Sequence, residues 1–243
     1  MCNKSKYSAD RLEILQDRNF PLSAKYDMEW LFDNKMGSHC LWLVEGLARE
    51  MTLEPGMRVL DLGCGNALTS KFLAQEFGVQ VYATDLWISA TDNWKRICGW
   101  GLQDKITPIR AEAHTLPFAE GFFDAAIIVN SYQFYGTSDI YFNEYLGKLI
   151  KRGGQLGFAL PGLTKELDEY PKEWINSDQL YYHTIDWWRS YFNKCKSSIH
   201  LIDDYQGYGN TIIRKWDAAV NDKKLEDTFI DELSWFRVVV ETL

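Results

Sequence analysis

The chain has 243 residues, 46% of them hydrophobic, and a formal net charge of −8. That length and apolar share specify a folded globular chain of one large domain, and the acidic balance without a Lys/Arg run argues against nucleic acid or an anionic membrane as partner. No apolar stretch reaches bilayer length, the first residues (Met1 to Lys6) are polar, and the five cysteines are scattered and lack C-x-x-C spacing, so a cytoplasmic protein with no metal is expected.

Residues 1–24 read as a polar, partly helical arm. Residues 26–36 are aromatic and apolar until Gly37-Ser38-His39 interrupts them. Ser38 is a candidate cap for a helix over 39–51, with Leu41, Leu43, Val44, Leu47 and Ala48 as its apolar positions. Residues 1–54 are therefore expected to form an N-terminal helical cover. A Pro55-Gly56 turn leads into a buried strand at 58–62, a tight turn from Gly63 to Asn66, and a helix from 67 with Leu68, Phe72, Leu73 and Phe77 on one face. A strand at 79–84 ends in Asp85. A helix at 89–100, a strand at 105–110, a strand at 125–129 closing on Asn130-Ser131, and a helix at 140–150 follow. The turn Arg152-Gly153-Gly154 then precedes a strand at 155–160. Five strands alternating with helices specify a parallel sheet covered on both faces, with right-handed crossovers.

Beyond Pro161 the pattern changes. Residues 161–200 hold Trp174, Tyr181, Tyr182, Trp187, Trp188, Tyr191 and Phe192 in mainly helical context, read as an aromatic insertion or lid within one domain spanning 55–243. A strand at 198–205, a helix at 211–220 and a strand at 236–242 complete the reading, the last in the same sheet.

Chemistry concentrates at Asp61-Leu62-Gly63-Cys64-Gly65. Strand, glycine turn and helix hold a nucleotide-like ligand at the carboxyl end of a parallel sheet, because glycines admit close backbone approach and positive φ. Two ligands compete for this turn. A dinucleotide wants G-x-G-x-x-G, and Leu68 stands at its third glycine. S-adenosylmethionine carries no phosphate and needs a carboxylate for its cationic amino acid end, which Asp61 is placed to supply.

The motifs resemble those of class I S-adenosylmethionine-dependent methyltransferases, in the small-molecule branch (methyltransferase type 11, cyclopropane synthase-like). Asp61-Leu62-Gly63-Cys64-Gly65 is similar to the family's glycine motif, and Asp85 resembles its acidic residue for the ribose hydroxyls, with Leu86 beside it at the cofactor. Glu112-Ala113-His114-Thr115-Leu116-Pro117-Phe118 resembles its Asp-Ala-x-x-Leu-Pro-Phe segment, where the acid meets the adenine amino group and the next N–H meets the ring. Phe122-Phe123-Asp124 before an apolar strand also matches. The resemblance covers roughly 55–160, with Glu112 in place of Asp and Ala67 where a third glycine is frequent. It implies a Rossmann-like fold with a mainly parallel seven-stranded sheet and S-adenosylmethionine as cofactor, near Asn130 as well as the residues just named.

The acceptor side is expected after the fourth strand, from Asn130 to Tyr135. Tyr132 is the candidate to orient or deprotonate the acceptor, and His39, with His114 as alternative, is a candidate base; His183 and His200 have weaker claims. Trp187 and Trp188 are expected to share that cavity as a roof. The loop lacks the Asn-Pro-Pro-Tyr pattern of adenine or glutamine methylation, a cysteine for cytosine chemistry and carboxylates for a catechol metal. Cys64 reads as packing. The expected function is methyl transfer to a small molecule, the alternatives being a non-catalytic S-adenosylmethionine-binding protein or a nucleotide-dependent oxidoreductase. A homodimer is possible.

Overall fold

The computed structural model describes residues 7–167, 169, 181–220 and 230–243. Helices α1 (Ala9–Ile14) and α2 (Met28–Asn34) open the chain, and the Asp27 carboxylate caps α2 by accepting from Glu29 N and Trp30 N. Helix α3 (Cys40–Ala48) is buried along nearly its whole length. His39 caps it in place of Ser38, its Nδ1 accepting from Trp42 N. Buried Glu45 on α3 accepts from Leu22 N, Ser23 N and Ser23 Oγ and pairs with Arg49, so its charge is fully answered while it ties the arm to the helix.

The sheet follows. Strand β1 (Arg58–Leu62) leads through the glycine turn to α4 (Leu68–Phe77). Then come β2 (Gln80–Asp85), α5 (Ala90–Gly99), β3 (Ile106–Arg110) and β4 (Phe123–Val129). Helix α6 (Asp139–Tyr141) passes through a π-helical turn (Phe142–Leu146) into α7 (Gly147–Leu149) and β5 (Ile150–Leu163). Strand β6 (His183–Thr184), α8 (Ile185–Phe192), β7 (Ser197–Asp203), α9 (Gly209–Val220) and β8 (Leu233–Thr242) complete the described order. The sheet runs β3-β2-β1-β4-β5-β8-β7, with β6 paired to the end of β5. Strands β1 to β5 are parallel, and β8 is antiparallel to both of its neighbours. The winding reverses between β1 and β4, and at such a switch point the following loops part and leave a crevice.

Side chains alternate between two buried faces. Val59, Ala125, Ile127 and Val129 pack toward α3, α4 and α9, while Leu60, Ala126 and Ile128 pack toward the opposite layer. Burial on both faces is why these strands read as continuous apolar runs. Arg152-Gly153-Gly154 does not precede the strand as expected but lies within it. Gly153 takes φ 75° and the register to β4 jumps from Phe123↔Ile150 to Ala125↔Gln155, so the turn is a bulge within β5.

Of the described aromatic segment, α8 supplies core side chains, while Tyr182 borders a cavity. On α8, Trp188 and Phe192 are fully buried, packed with Tyr132 and Phe158; Trp174 lies outside the described residues. Two cations pin the layers. Arg237 on β8 forks onto Asp203 (2.7 and 3.0 Å) and reaches Gly46 O and Glu50 on the α3 side. Lys71 on α4 stands 4.1, 5.2 and 5.6 Å from the ring centroids of Trp30, Trp100 and Tyr26, joining the N-terminal cover to α4.

Ala67, the residue before α4, has left-handed φ 61° and ψ 27° and is fully buried. A glycine there relieves ~1–2 kcal/mol of αL strain, but loses a buried methyl of about 0.8 kcal/mol and gains unfolded-chain entropy of about 0.4–1 kcal/mol. The terms nearly cancel, which explains how alanine holds this position. Ala67→Gly is expected within about 0.5 kcal/mol of wild type, and Ala67→Val to cost about 2 kcal/mol or more through positive φ and overpacking; urea unfolding of the two variants measures both.

Candidate active site

A cavity of about 630 Å³ opens at the carboxyl ends of β1, β2 and β4. The glycine turn forms its floor, and Met36, Gly37, Ser38 and Cys40 close it from the N-terminal cover. Asp85, Leu86 and Trp87 follow from the end of β2, with Glu112, Ala113 and His114 beyond β3. Asn130, Ser131, Phe134 and Tyr135 face them from the loop after β4, with Tyr182.

Backbone hydrogen bonds bind the turn to β2. Gly63 N and Cys64 N both donate to Thr84 O (2.8 and 3.1 Å), and Gly65 N donates to Asp85 Oδ2 (2.9 Å). Asp85 Oδ1 accepts in turn from Trp87 N and Ile88 N. Three successive turn amides are thus spent within the protein, whereas a phosphate cradle needs such amides free. The expectation that both glycines exist for ligand approach needs revision at Gly63. Its φ is 78°, and an added Cβ would lie 2.4 Å from Ser131 Oγ, so the neighbouring loop fills that space. At Gly65, φ is 53° and the Cβ would lie 3.1 Å from Met36 Sδ.

Asp61 is buried behind the turn and not in the cavity wall. Its Oδ2 accepts from Thr69 Oγ1 (2.6 Å) and Ser70 Oγ (2.5 Å), so the carboxylate expected to meet a ligand instead fastens the first turn of α4. Burial pushes this carboxyl up to about 6, against the hydrogen bonds from Ser70 and Thr69. Cys64 reaches the wall, and burial holds its thiol well above the ordinary range, so it stays protonated and unreactive.

Glu112 turns back on its own segment, Oε2 accepting from His114 N (2.8 Å) and Oε1 meeting His114 Nδ1 (2.7 Å). The carbonyl of Ala113 accepts from Tyr141 OH. Asn130 carries φ 56°, and its amide occupies the space a Cβ on Gly37 would need, 2.6 Å away.

Both candidate catalytic residues fall outside the cavity. Tyr132 is fully buried, its hydroxyl bonded to Tyr191 OH (2.8 Å) and its ring 4.6 Å from that of Phe158. Residues Tyr132–Phe134 form a 3₁₀ turn that sends Tyr132 inward and leaves Phe134 at the rim, so Tyr135 supplies the phenol in the wall. His39 is also fully buried. Its ring stacks on Trp42 at 4.0 Å, its Nδ1 is committed to the helix cap, and burial pushes it down to about 3, so it stays neutral. His114 alone of the considered histidines lines the cavity. Trp187 and Trp188 do not: Trp187 stacks on His183 at 3.7 Å and Trp188 is core. The aromatic wall is Phe134, Tyr135 and Tyr182.

The structure also brings in Met36, Ser38, Cys40 and Trp87, which carried no motif. Trp87 is 74% exposed beside Asp85, a position whose only signal was an indole two residues beyond an acidic strand end. Among the described residues no group of three or more His, Cys, Asp or Glu converges as a metal site, and no helix is long and apolar enough to cross a membrane.

Residues 59–154 match a family described as a methyltransferase domain. Sterol 24-C-methyltransferase of Yarrowia lipolytica is 25% identical over 126 residues, 51% of this chain and 32% of that protein. Methyltransferase GfsG of Streptomyces halstedii is 26% identical over 118 residues, 48% of this chain and 42% of that protein. The matches thus span less than half the length of these curated relatives. Phosphoethanolamine N-methyltransferase 2 of Haemonchus contortus, solved with phosphomonomethylethanolamine and S-adenosylhomocysteine, superposes with a TM-score of 0.70 at 18% identity, covering 97% of this chain and 61% of that one. At that identity the likeness shows the fold.

The raised Asp61 carboxyl makes a pH-dependent contribution. The folded state holds its proton more tightly than the unfolded chain, so the contribution is full below about pH 4 and is lost as pH rises through about 6. Asp61→Asn keeps an oxygen for Thr69 and Ser70 and never ionises. Its stability relative to wild type should rise by on the order of 2–3 kcal/mol between pH 4 and pH 6–7 and then level off. Urea unfolding of both proteins across that range checks it; a constant difference would show that Asp61 titrates normally.

Proposed function

We propose that the chain is a class I S-adenosylmethionine-dependent methyltransferase, a reading its matched domain and its fold support, and that it transfers a methyl group from S-adenosylmethionine to a small-molecule acceptor in this cavity. One observation carries the reading: the glycine turn, Asp85, the Glu112-Ala113 segment and the 130–135 loop border a single cavity whose turn amides are already engaged by β2. A dinucleotide pyrophosphate would compete for those amides, which tells against the oxidoreductase alternative. A ligand with a ribose and no phosphate fits.

Asp85 accepts from a ribose hydroxyl. Its oxygens accept from Gly65 N, Trp87 N and Ile88 N, which fixes the carboxylate and leaves one lone pair, on Oδ2, for the ligand. Leu86 gives the adenine an apolar face, and Glu112 with the N–H of Ala113 meets its edge. Gly63, Cys64 and Gly65 keep the floor flat, and Asn130 closes the side toward the acceptor. Asp61 supports the turn from behind. The bound sulfonium supplies an electrophilic methyl group, so no enzyme nucleophile is needed. The protein's part is to align the acceptor and exclude water, which the wall of Phe134, Tyr135 and Tyr182 does. Five scattered cysteines without C-x-x-C spacing suit a reducing compartment, and action in the cytoplasm is part of this reading. Light scattering would show whether the chain works as the homodimer the sequence reading allows.

Asp85→Asn should weaken S-adenosylmethionine by about 1–3 kcal/mol, the cost of unpairing a charged hydrogen bond to the ribose. Titration calorimetry, with a denaturation curve to show that the variant is folded, measures this. Unchanged affinity in a folded variant would remove Asp85 from the site.

A further inference from the structure

The Tyr135 hydroxyl has a defined polarity. Ser131 Oγ donates its single proton to Leu62 O (3.0 Å), the carbonyl just ahead of the glycine turn. Tyr135 OH lies 3.1 Å from the same Oγ, so its own proton goes to Ser131. The result is a one-way chain, Tyr135 O–H to Ser131 O–H to Leu62 C=O. The phenol oxygen is left with lone pairs alone, and both side chains stand in the cavity wall.

Three features fix this chain. Gly63 makes room for it, since a Cβ there would strike Ser131 Oγ. Asn130, one residue earlier, holds strained φ 56° against Gly37. The Tyr135 ring is packed at 5.7 Å from Tyr132, 5.9 Å from Tyr141 and 6.4 Å from His114. The chain also has a dead end. A proton passed along it would arrive at an amide carbonyl, which is no proton sink, and burial pushes the phenol well above its ordinary value. Tyr135 can accept a hydrogen bond but cannot act as a base.

We propose that Tyr135 positions the acceptor by accepting a hydrogen bond from the atom to be methylated, and that this acceptor is a primary or secondary amine. The proposal rests on the transferase reading above. A neutral amine donates N–H to Tyr135 and keeps its lone pair free for attack. That lone pair forms the N–CH₃ bond as the S–CH₃ bond breaks. The bonding pair returns to sulfur, leaving a thioether, and the product ammonium later loses its extra proton to water at the open mouth. An amine that arrives as its ammonium first gives that proton to water at the open mouth, so the transfer asks no base of the protein. The charge that grows on nitrogen stays inside a cavity whose lining includes Phe134 and Tyr182, aromatic rings of the kind that favour a cation. A hydroxyl acceptor would need a proton sink, and an alkene carbon would offer Tyr135 nothing to accept.

Methyl-¹³C S-adenosylmethionine and a metabolite extract test this in the whole chain, because carbon shifts separate methyl groups on nitrogen, oxygen and carbon. Label on nitrogen is expected. Tyr135→Phe should lower labelled product about tenfold, the order of one hydrogen bond, with cofactor affinity unchanged by calorimetry. The pH profile should keep its shape and lose only height, since Tyr135 does not titrate. If Tyr135→Phe fails to fold, Ser131→Ala, which frees the phenol to rotate, should act in the same direction. Label on oxygen or carbon, wild-type activity in the folded variant, or no labelled product from protein that binds the cofactor overturns the proposal. Failure of wild type to bind S-adenosylmethionine would instead overturn the transferase reading beneath it.

Discussion

The site depends on the seizure of the glycine turn by the end of β2. Thr84 O and Asp85 Oδ2 together take the amides of Gly63, Cys64 and Gly65. This clamp sets the direction of α4, which starts three residues later at Leu68, and holds the Asp85 carboxylate still at the cavity edge. It also decides the chemistry. A turn whose amides point at its own sheet presents a smooth, uncharged floor, suited to a thioether or sulfonium chain rather than a phosphate.

A second constraint is the fit between the loop after β4 and its two neighbours. Gly37 yields space to Asn130 and Gly63 yields space to Ser131. Three separate stretches of chain therefore interlock at one point, and the strain at Asn130 persists because its neighbours leave no relaxed alternative. The N-terminal cover takes part in this interlock as well as shielding the core. With Lys71 caged by rings from the cover and α5, and Glu45 gripping the arm, disturbance of the cover will be felt at the cavity.

Much of the fold was legible because both sheet faces are buried. Runs such as Val59-Leu60 and Ala125 to Val129 can only be interior strands, and the glycine turn and Asp85 fall at strand ends. The errors arose where orientation depends on one or two residues. Between Tyr132 and Tyr135 the difference is a single 3₁₀ turn, which leaves no periodic trace in so short a loop. His39 and Ser38 are both plausible caps, and only the packing of Trp42 and Trp216 against the imidazole drew His39 inward. Trp187 and Trp188 sit on an amphipathic helix that reads equally as lid or core, and the apolar layer under β4 and β5 claimed Trp188. The inward role of Asp61 rests on Thr69 and Ser70, whose hydroxyls face it from the first turn of α4.

The strand order has a consequence for assembly. Strand β8 lies between β5 and β7, pairing with β5 at nine positions from Gln155↔Glu241 to Leu163↔Leu233, and among the described residues β7 has no other partner in the sheet. A chain emerging from the ribosome can wind β1 to β5 and make β7, yet must hold a vacant slot between them until residues 233–242 are free. Until then β5 presents an open apolar edge, and Arg237, which bridges Asp203 and Glu50, is missing. Closure of the sheet is thus a late, long-range event, and the interval before it is when nascent chains of this protein are most open to pairing with one another.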